Sequence, residues 1–278
     1  MAASATRAPD VPAAGGVRWF ISDGLVMTWR SLMHTIRVPE LLIFSTIQPV
    51  MFVLLFAYVF GGAIGVQGGN YREFLMGGIF TQTVAFSTGS TAVGLAEDLH
   101  KGLIDRFRSL PMARSAVMVG RTVGDAARNL LIIAIMMLCG LFVGWRIHNG
   151  VFQFLAATAL LLLFGYALCW VGAYIGLSVP NPETANTVGF IWLFPLTFLS
   201  NAFVPLESLP GWLQPIAAWN PVSATVAAVR DLFGNSNPTP PGYWPLEHPV
   251  IASLGWSLLV IAIFVPLSVR KYRRTASK

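Results

Sequence analysis

Six apolar runs recur along this chain, at about 41–60, 74–96, 129–145, 152–177, 188–205 and 249–269. At 1.5 Å of rise per residue, a helix of ~20 residues crosses the ~30 Å hydrocarbon core of a bilayer. Inside lipid a segment must satisfy its own backbone hydrogen bonds, which leaves helices as the solution for runs of this length. The spacing therefore predicts an all-α polytopic membrane protein with six transmembrane helices. A hydrophobic content of 55% agrees, since soluble domains hold ~45–50% even with glycine counted.

Residues 1–16 lack the continuous apolar core of a signal peptide and read as a mobile tail. Residues 17–278 are expected to form a single transmembrane domain. It opens with 17–38, where Val17, Ile21, Leu25, Trp29, Leu32 and Ile36 recur every three or four residues, opposite Asp23, Arg30, His34 and Arg37. A basic, Trp-bearing amphipathic helix of this kind lies in the membrane interface. Segment 206–247 holds Pro and Trp but no further run, and Trp212, Trp219 and Trp244 read as interfacial anchors. Cys139 and Cys169 fall inside apolar runs without metal-ligand spacing, so both read as reduced and structural.

With six spans both termini share one side. Assigning that side to the cytoplasm gives it Lys and Arg in short blocks: 4 in residues 1–40, 6 in 97–128 and 5 in 270–278, with none in 178–187. The other side receives Arg72, Arg146 and Arg230. Asymmetry of this kind in short loops sets orientation. Blocks between spans are not the continuous basic face that nucleic acid needs, so no nucleic-acid partner is expected.

Charge is densest in EDLHKGLIDRFRSLPMAR (97–114), where Glu97, Asp98, Lys101, Asp105, Arg106, Arg108 and Arg114 crowd together. Written as a helix, Leu99, Leu103, Phe107 and Leu110 form one apolar stripe with the charges opposite, and Pro111 ends it. Mixed signs on the outward face favour a protein partner over a lipid surface, where basic residues alone suffice.

The passages QPVMFVLLFAYVFGGAI (48–64) and EDLHKGLIDRFRSLPMARSAVMVGR (97–121) resemble the membrane subunits of type-2 ABC exporters, most of all their daunorubicin-resistance branch. The likeness extends to NPE at 181–183 and to the LP-W…NP pattern from Leu209 through Pro221. It implies a half-transporter whose loop between spans two and three docks into a separate ATP-hydrolysing subunit through Glu97, Asp98, Lys101, Asp105, Arg106, Arg108, Pro111 and Arg114. A second docking element is implied at Asn181 and Glu183, where Glu183 is the one charge of its loop. Short re-entrant helices are implied on the outer face between spans five and six. So is a second permease, either a copy of this chain or a sister chain.

Catalytic equipment is not visible. A phosphate-cradling loop needs Gly before Lys, whereas Lys101, Lys271 and Lys278 follow His100, Arg270 and Ser277. The chain is thus expected to be no enzyme, to hold no metal or cofactor of its own, and to leave ATP and Mg2+ to its partner. Carboxylates deep in the spans are nearly absent, which argues against ion-driven coupling and for an apolar or amphiphilic cargo. Gln48, Gln82, Thr83, Ser87 and Ser90 are candidates to line a substrate path, with helix packing as the equal alternative. GxxxG pairs such as Gly172/Gly176 read as close helix contacts.

The expected function is the permease of an ATP-driven exporter in a bacterial plasma membrane, multi-pass with both termini cytoplasmic. Its cargo would be a drug, antibiotic or lipid. A polysaccharide or teichoic-type export permease and a non-transporting membrane scaffold remain alternatives.

Overall fold

The computed structural model describes residues 39–60, 70–101, 114–238 and 242–275. The amphipathic segment 17–38 and most of the charged island therefore lie outside the described residues. What is described is helical throughout, with no strand among these residues.

The long helices are α1 (Pro39–Leu54, running on as a wider π-helical turn, Leu55–Phe60), α2 (Tyr71–His100), α3 (Arg114–Val143), α4 (Val151–Gly176) and α5 (Pro182–Phe198). After a 3-10 turn at Leu206–Ser208 come α6 (Gln214–Ala218), α7 (Pro221–Phe233), α8 (Trp244–Glu247) and α9 (Pro249–Thr275). Among the described residues, three stretches are long and apolar enough to cross a membrane: Thr122–Val143, Val151–Gly176 and Pro249–Tyr272. The other three long helices fall short on length or polarity. Among the described residues α1 and its continuation give a shorter apolar helix, Thr46–Val59, α5 has 17 residues, and α2 has 30, with hydroxyls in its middle and charges at both ends.

Helix starts follow local chemistry. Asn70, Asn181 and Asn220 each accept a backbone N–H of the first turn, from Arg72 at 3.0 Å, Thr184 at 2.8 Å and Val222 at 2.8 Å. At the second and third, a Pro fills the first helical position, where the missing N–H costs nothing. The Asn-Pro pairs at 181–182 and 220–221 are thus start signals. The helix over the expected fifth span, near 188–205, begins at Pro182, and Asn181 and Glu183, expected in the preceding loop, are its cap and first turn.

Two more boundaries shift. The helix over the expected third span, 129–145 preceded by a polar lead-in helix, runs unbroken from Arg114 to Val143, so lead-in and apolar run are one helix. The fifth ends at Phe198 instead of 205, because residues 200–202 turn away to make contacts with α7.

Helix α2 is the centre of the bundle. Its Phe74, Leu75, Met76, Ile79 and Phe80 are wholly buried, packed among α3, α4, α5 and α7. Along α4, a Cβ added at Gly172 would lie 2.5 Å from the Thr88 carbonyl oxygen, and one at Gly176 2.5 Å from that of Ala92. The GxxxG pair is therefore where α4 meets α2 backbone to backbone, a close approach open only to small residues. Phe80, Trp145 and Phe233 form an edge-to-face cluster with centroids 5.0–6.1 Å apart, and the Trp145 indole donates to Asn235 Oδ1 at 2.7 Å. Trp212, Trp219 and Trp244 are exposed.

Candidate functional site

Hydroxyls on a helix in lipid are commonly hidden against their own backbone, and α2 uses this device. Thr81 donates to the Gly77 carbonyl (2.9 Å), Thr83 to Ile79 (2.7 Å), Ser87 to Val84 (2.6 Å) and Ser90 to Ser87 (2.6 Å). A hydroxyl that has donated still accepts. Ser87 Oγ accepts Asn129 Nδ2 at 2.8 Å, and Ser90 Oγ accepts the Arg128 guanidinium. One turn below, Thr91 donates to Asp125 Oδ2 at 2.7 Å, and Cys169 of α4 lies 3.6 Å from the same hydroxyl.

Asp125, Arg128 and Asn129 stand at i, i+3 and i+4 on α3, so one face presents all three to α2. Asp125 and Asn129 are buried, and Asp125 Oδ1 lies 3.6 Å from Arg128 Nη2. Both charged residues fall inside the membrane-length stretch Thr122–Val143. This corrects the expectation that the spans are nearly free of ionisable groups. The error came from starting the third span at 129, which assigned Asp125 and Arg128 to the cytoplasmic block. The i, i+3, i+4 spacing in DAARN was the available signal.

A second buried charge lies near the other end of α2. Arg230 of α7 has no exposed surface. Its Nε donates to the Phe74 carbonyl at 2.8 Å, and one Nη donates to the carbonyls of Asn201 and Ala202, both at 3.0 Å. Gly77 and Gly78 make this possible. A Cβ on Gly77 would meet Arg230 Cγ at 2.8 Å, and one on Gly78 would collide with the Ala202 carbonyl. Those carbonyls follow the C-terminus of α5, the negative end of its dipole, so the hydrogen bonds of the cation go to backbone carbonyls. Tyr71 adds a hydrogen bond to the Phe203 carbonyl at 3.1 Å. Counting Arg230 only as an outer-side topology signal missed this.

The candidate path residues do not converge. Ser87 and Ser90 join the Asp125–Arg128 cluster. Thr83 is turned to its own backbone, Gln82 is buried with Nε2 unpaired, and Gln48 is exposed on α1. Of the candidate coupling residues, Glu97 and Asp98 form the last turn of α2 and Lys101 caps it, with Lys101 Nζ 2.9 Å from Glu97 Oε2. Arg114 opens α3. Asp105, Arg106, Arg108 and Pro111 lie outside the described residues.

Comparison with known proteins completes the picture. The family model described as ABC-2 type transporter matches residues 24–233. A daunorubicin resistance ABC transporter permease protein of Streptomyces coeruleorubidus is 34% identical over 253 residues, covering 91% of this chain and 87% of that protein. A "Probable doxorubicin resistance ABC transporter permease protein" of Mycobacterium tuberculosis is 26% identical over 275 residues, covering 98% and 95%. With apolar helices of membrane length and a family match over residues 24–233, this chain belongs to the ABC-2 type transporter family, as a multi-pass permease subunit and not an enzyme.

Proposed function

We propose that this chain is one half of the transmembrane pathway of an ATP-driven exporter in a bacterial plasma membrane, with α1, α2, α3, α4, α5 and α9 as its six spans and both termini in the cytoplasm. A second permease, a copy or a sister chain, completes the pathway, and two ATPase subunits drive it from below. The cargo is an apolar or amphiphilic molecule such as a drug, antibiotic or lipid. The single observation that carries this reading is the near full-length similarity to permeases named for daunorubicin and doxorubicin resistance. The charge asymmetry between loops supports the orientation.

In this scheme the end of α2 at Glu97–Lys101 leads into a docking helix ending at Pro111, and the first turn of α5 at Asn181 and Glu183 adds a smaller contact. Closure of the ATPase pair on ATP pushes the docking helix, and α2, being central, transmits the movement to α4, α5 and α7. Segments α6, α7 and α8 form the short helices of the outer face.

The test is co-expression with the cognate ATPase subunit and ATP-dependent uptake of daunorubicin into inside-out vesicles. Co-purification of the two subunits and ATP-dependent accumulation are expected. A permease that purifies alone, with vesicles that accumulate no drug when ATP is added, would sink the exporter reading.

A further inference from the structure

We infer that Arg128, presented beside Ser90 and braced by Asp125, is a recognition site for a hydrogen-bond-accepting oxygen of an amphiphile within the inner half of the bilayer. The inference rests on the proposed exporter function for its placement. A guanidinium carries five N–H donors. Among the described residues, Arg128 donates to Ser90 Oγ, and its approach to Asp125 at 3.6 Å is too long for a hydrogen bond. Its Nε is shut off from solvent with no partner. Asp125, by contrast, is satisfied by Thr91 and sits deeper, its side chain 10% exposed against 25% for Arg128. Nε is out of a ligand's reach, so the donor capacity left open is on the Nη atoms of this partly exposed side chain, and the matching group is an acceptor.

Position supplies the second argument. Counted from Val143, where α3 and the membrane-length stretch end, Arg128 is fifteen residues in, about 22 Å of the ~30 Å core, which is the depth where the polar part of an amphiphile meets its apolar part. Ser90 is exposed on α2 and Phe86 and Ser87 beside it are half-buried. On the far side of this strip, Phe86 packs against Phe190 and Phe194 of α5, with centroids at 5.7 and 5.3 Å. An open strip thus runs between a hydrogen-bonding wall from α3 and an aromatic wall from α5. An ionisable residue inside a span is costly and is retained where it serves a function.

The experiment uses the permease–ATPase complex in phosphatidylcholine nanodiscs with doxorubicin as the probe, its binding followed by fluorescence anisotropy. Arg128→Gln is expected to weaken binding about tenfold or more, the scale of a hydrogen bond to a charged group. The swap Asp125→Arg with Arg128→Asp restores an ion pair but buries the donors and opens the carboxylate. It is expected to match the wild type in yield and melting temperature and still bind weakly. Titrating phosphatidylglycerol into the discs separates two sources of the oxygen. Displacement of doxorubicin that disappears in Arg128→Gln assigns the site to a lipid phosphate, and indifference assigns it to the cargo. The inference is overturned by wild-type affinity in Arg128→Gln, by full restoration of binding in the swap, or by a wild type that binds neither probe saturably. Failure of the exporter reading is distinct, since it shows as loss of ATP-dependent uptake whatever the affinity of Arg128→Gln.

Discussion

The guanidinium of Arg230 lies 3.5 Å from the centroid of the Phe74 ring while its Nε donates to the carbonyl of that same residue. One side chain thus ties α7 to α2 through both the face and the backbone of a single partner, and to the end of α5 through the Asn201 and Ala202 carbonyls. Three elements far apart in sequence share one buried cation.

Removing that cation strands three carbonyls. Arg230→Ala is expected to destabilise the chain by about 3 kcal/mol or more, the range for breaking a buried polar network. Arg230→Lys should recover little, because an ammonium lacks the planar fork that reaches two elements at once. Thermal unfolding of the purified protein in detergent measures both. An Arg230→Ala melting point equal to the wild type would show that the contacts carry no net stability.

The glycine notch makes a sharper contrast. Gly78→Val is expected to abolish folded expression, since any Cβ there meets the Ala202 carbonyl. Gly211→Ala should be neutral, because nothing lies within 4 Å of a Cβ at that position. Size-exclusion profiles of fluorescent fusions read out both, and equal profiles for the two variants would contradict the close packing of residues 201–202 on α2.

Orientation is open to thiol labelling in a background without Cys139 and Cys169. Exposed positions are required. Cysteines at Gly211 and Gly242, both exposed, should react with an impermeant reagent from outside intact cells. A cysteine at Lys101, also exposed, should react only after lysis. Labelling of position 101 from outside would invert the topology.

The charged island should respond by degrees. Lys101→Ala removes an exposed pair with Glu97, and such pairs contribute little, so expression and coupling should stay close to wild type. Asp105→Arg with Arg108→Asp reverses two charges of the island and is expected to weaken ATPase binding or uncouple hydrolysis from export. Wild-type co-purification and stimulated ATPase activity in that double variant would leave the island as a topology signal alone.

Apolar runs and the block distribution of Lys and Arg are local or compositional, so membrane class, approximate helix positions and the likeness to exporter permeases were readable from the chain alone; the Asn-Pro start signals are local too but went unread, which placed the fifth helix late. The close contact at Gly172 and Gly176 was readable too, because small residues four apart mark a face wherever the partner comes from. The Asp125–Arg128 cluster was hidden by a boundary. Hydropathy averages over a window and trims a helix where polar residues begin, although a polar residue with partners on α2 and α4 is tolerated inside a span. The identity of Arg230's partners, the Gly77–Gly78 notch and the early end of α5 belong to the tertiary structure alone. Backbone carbonyls carry no sequence signature, and residues 74, 201–202 and 230 meet only once α2, α5 and α7 have packed. A buried cation bonded to backbone carbonyls reads in sequence as one more surface arginine, and only the assembled fold distinguishes the two.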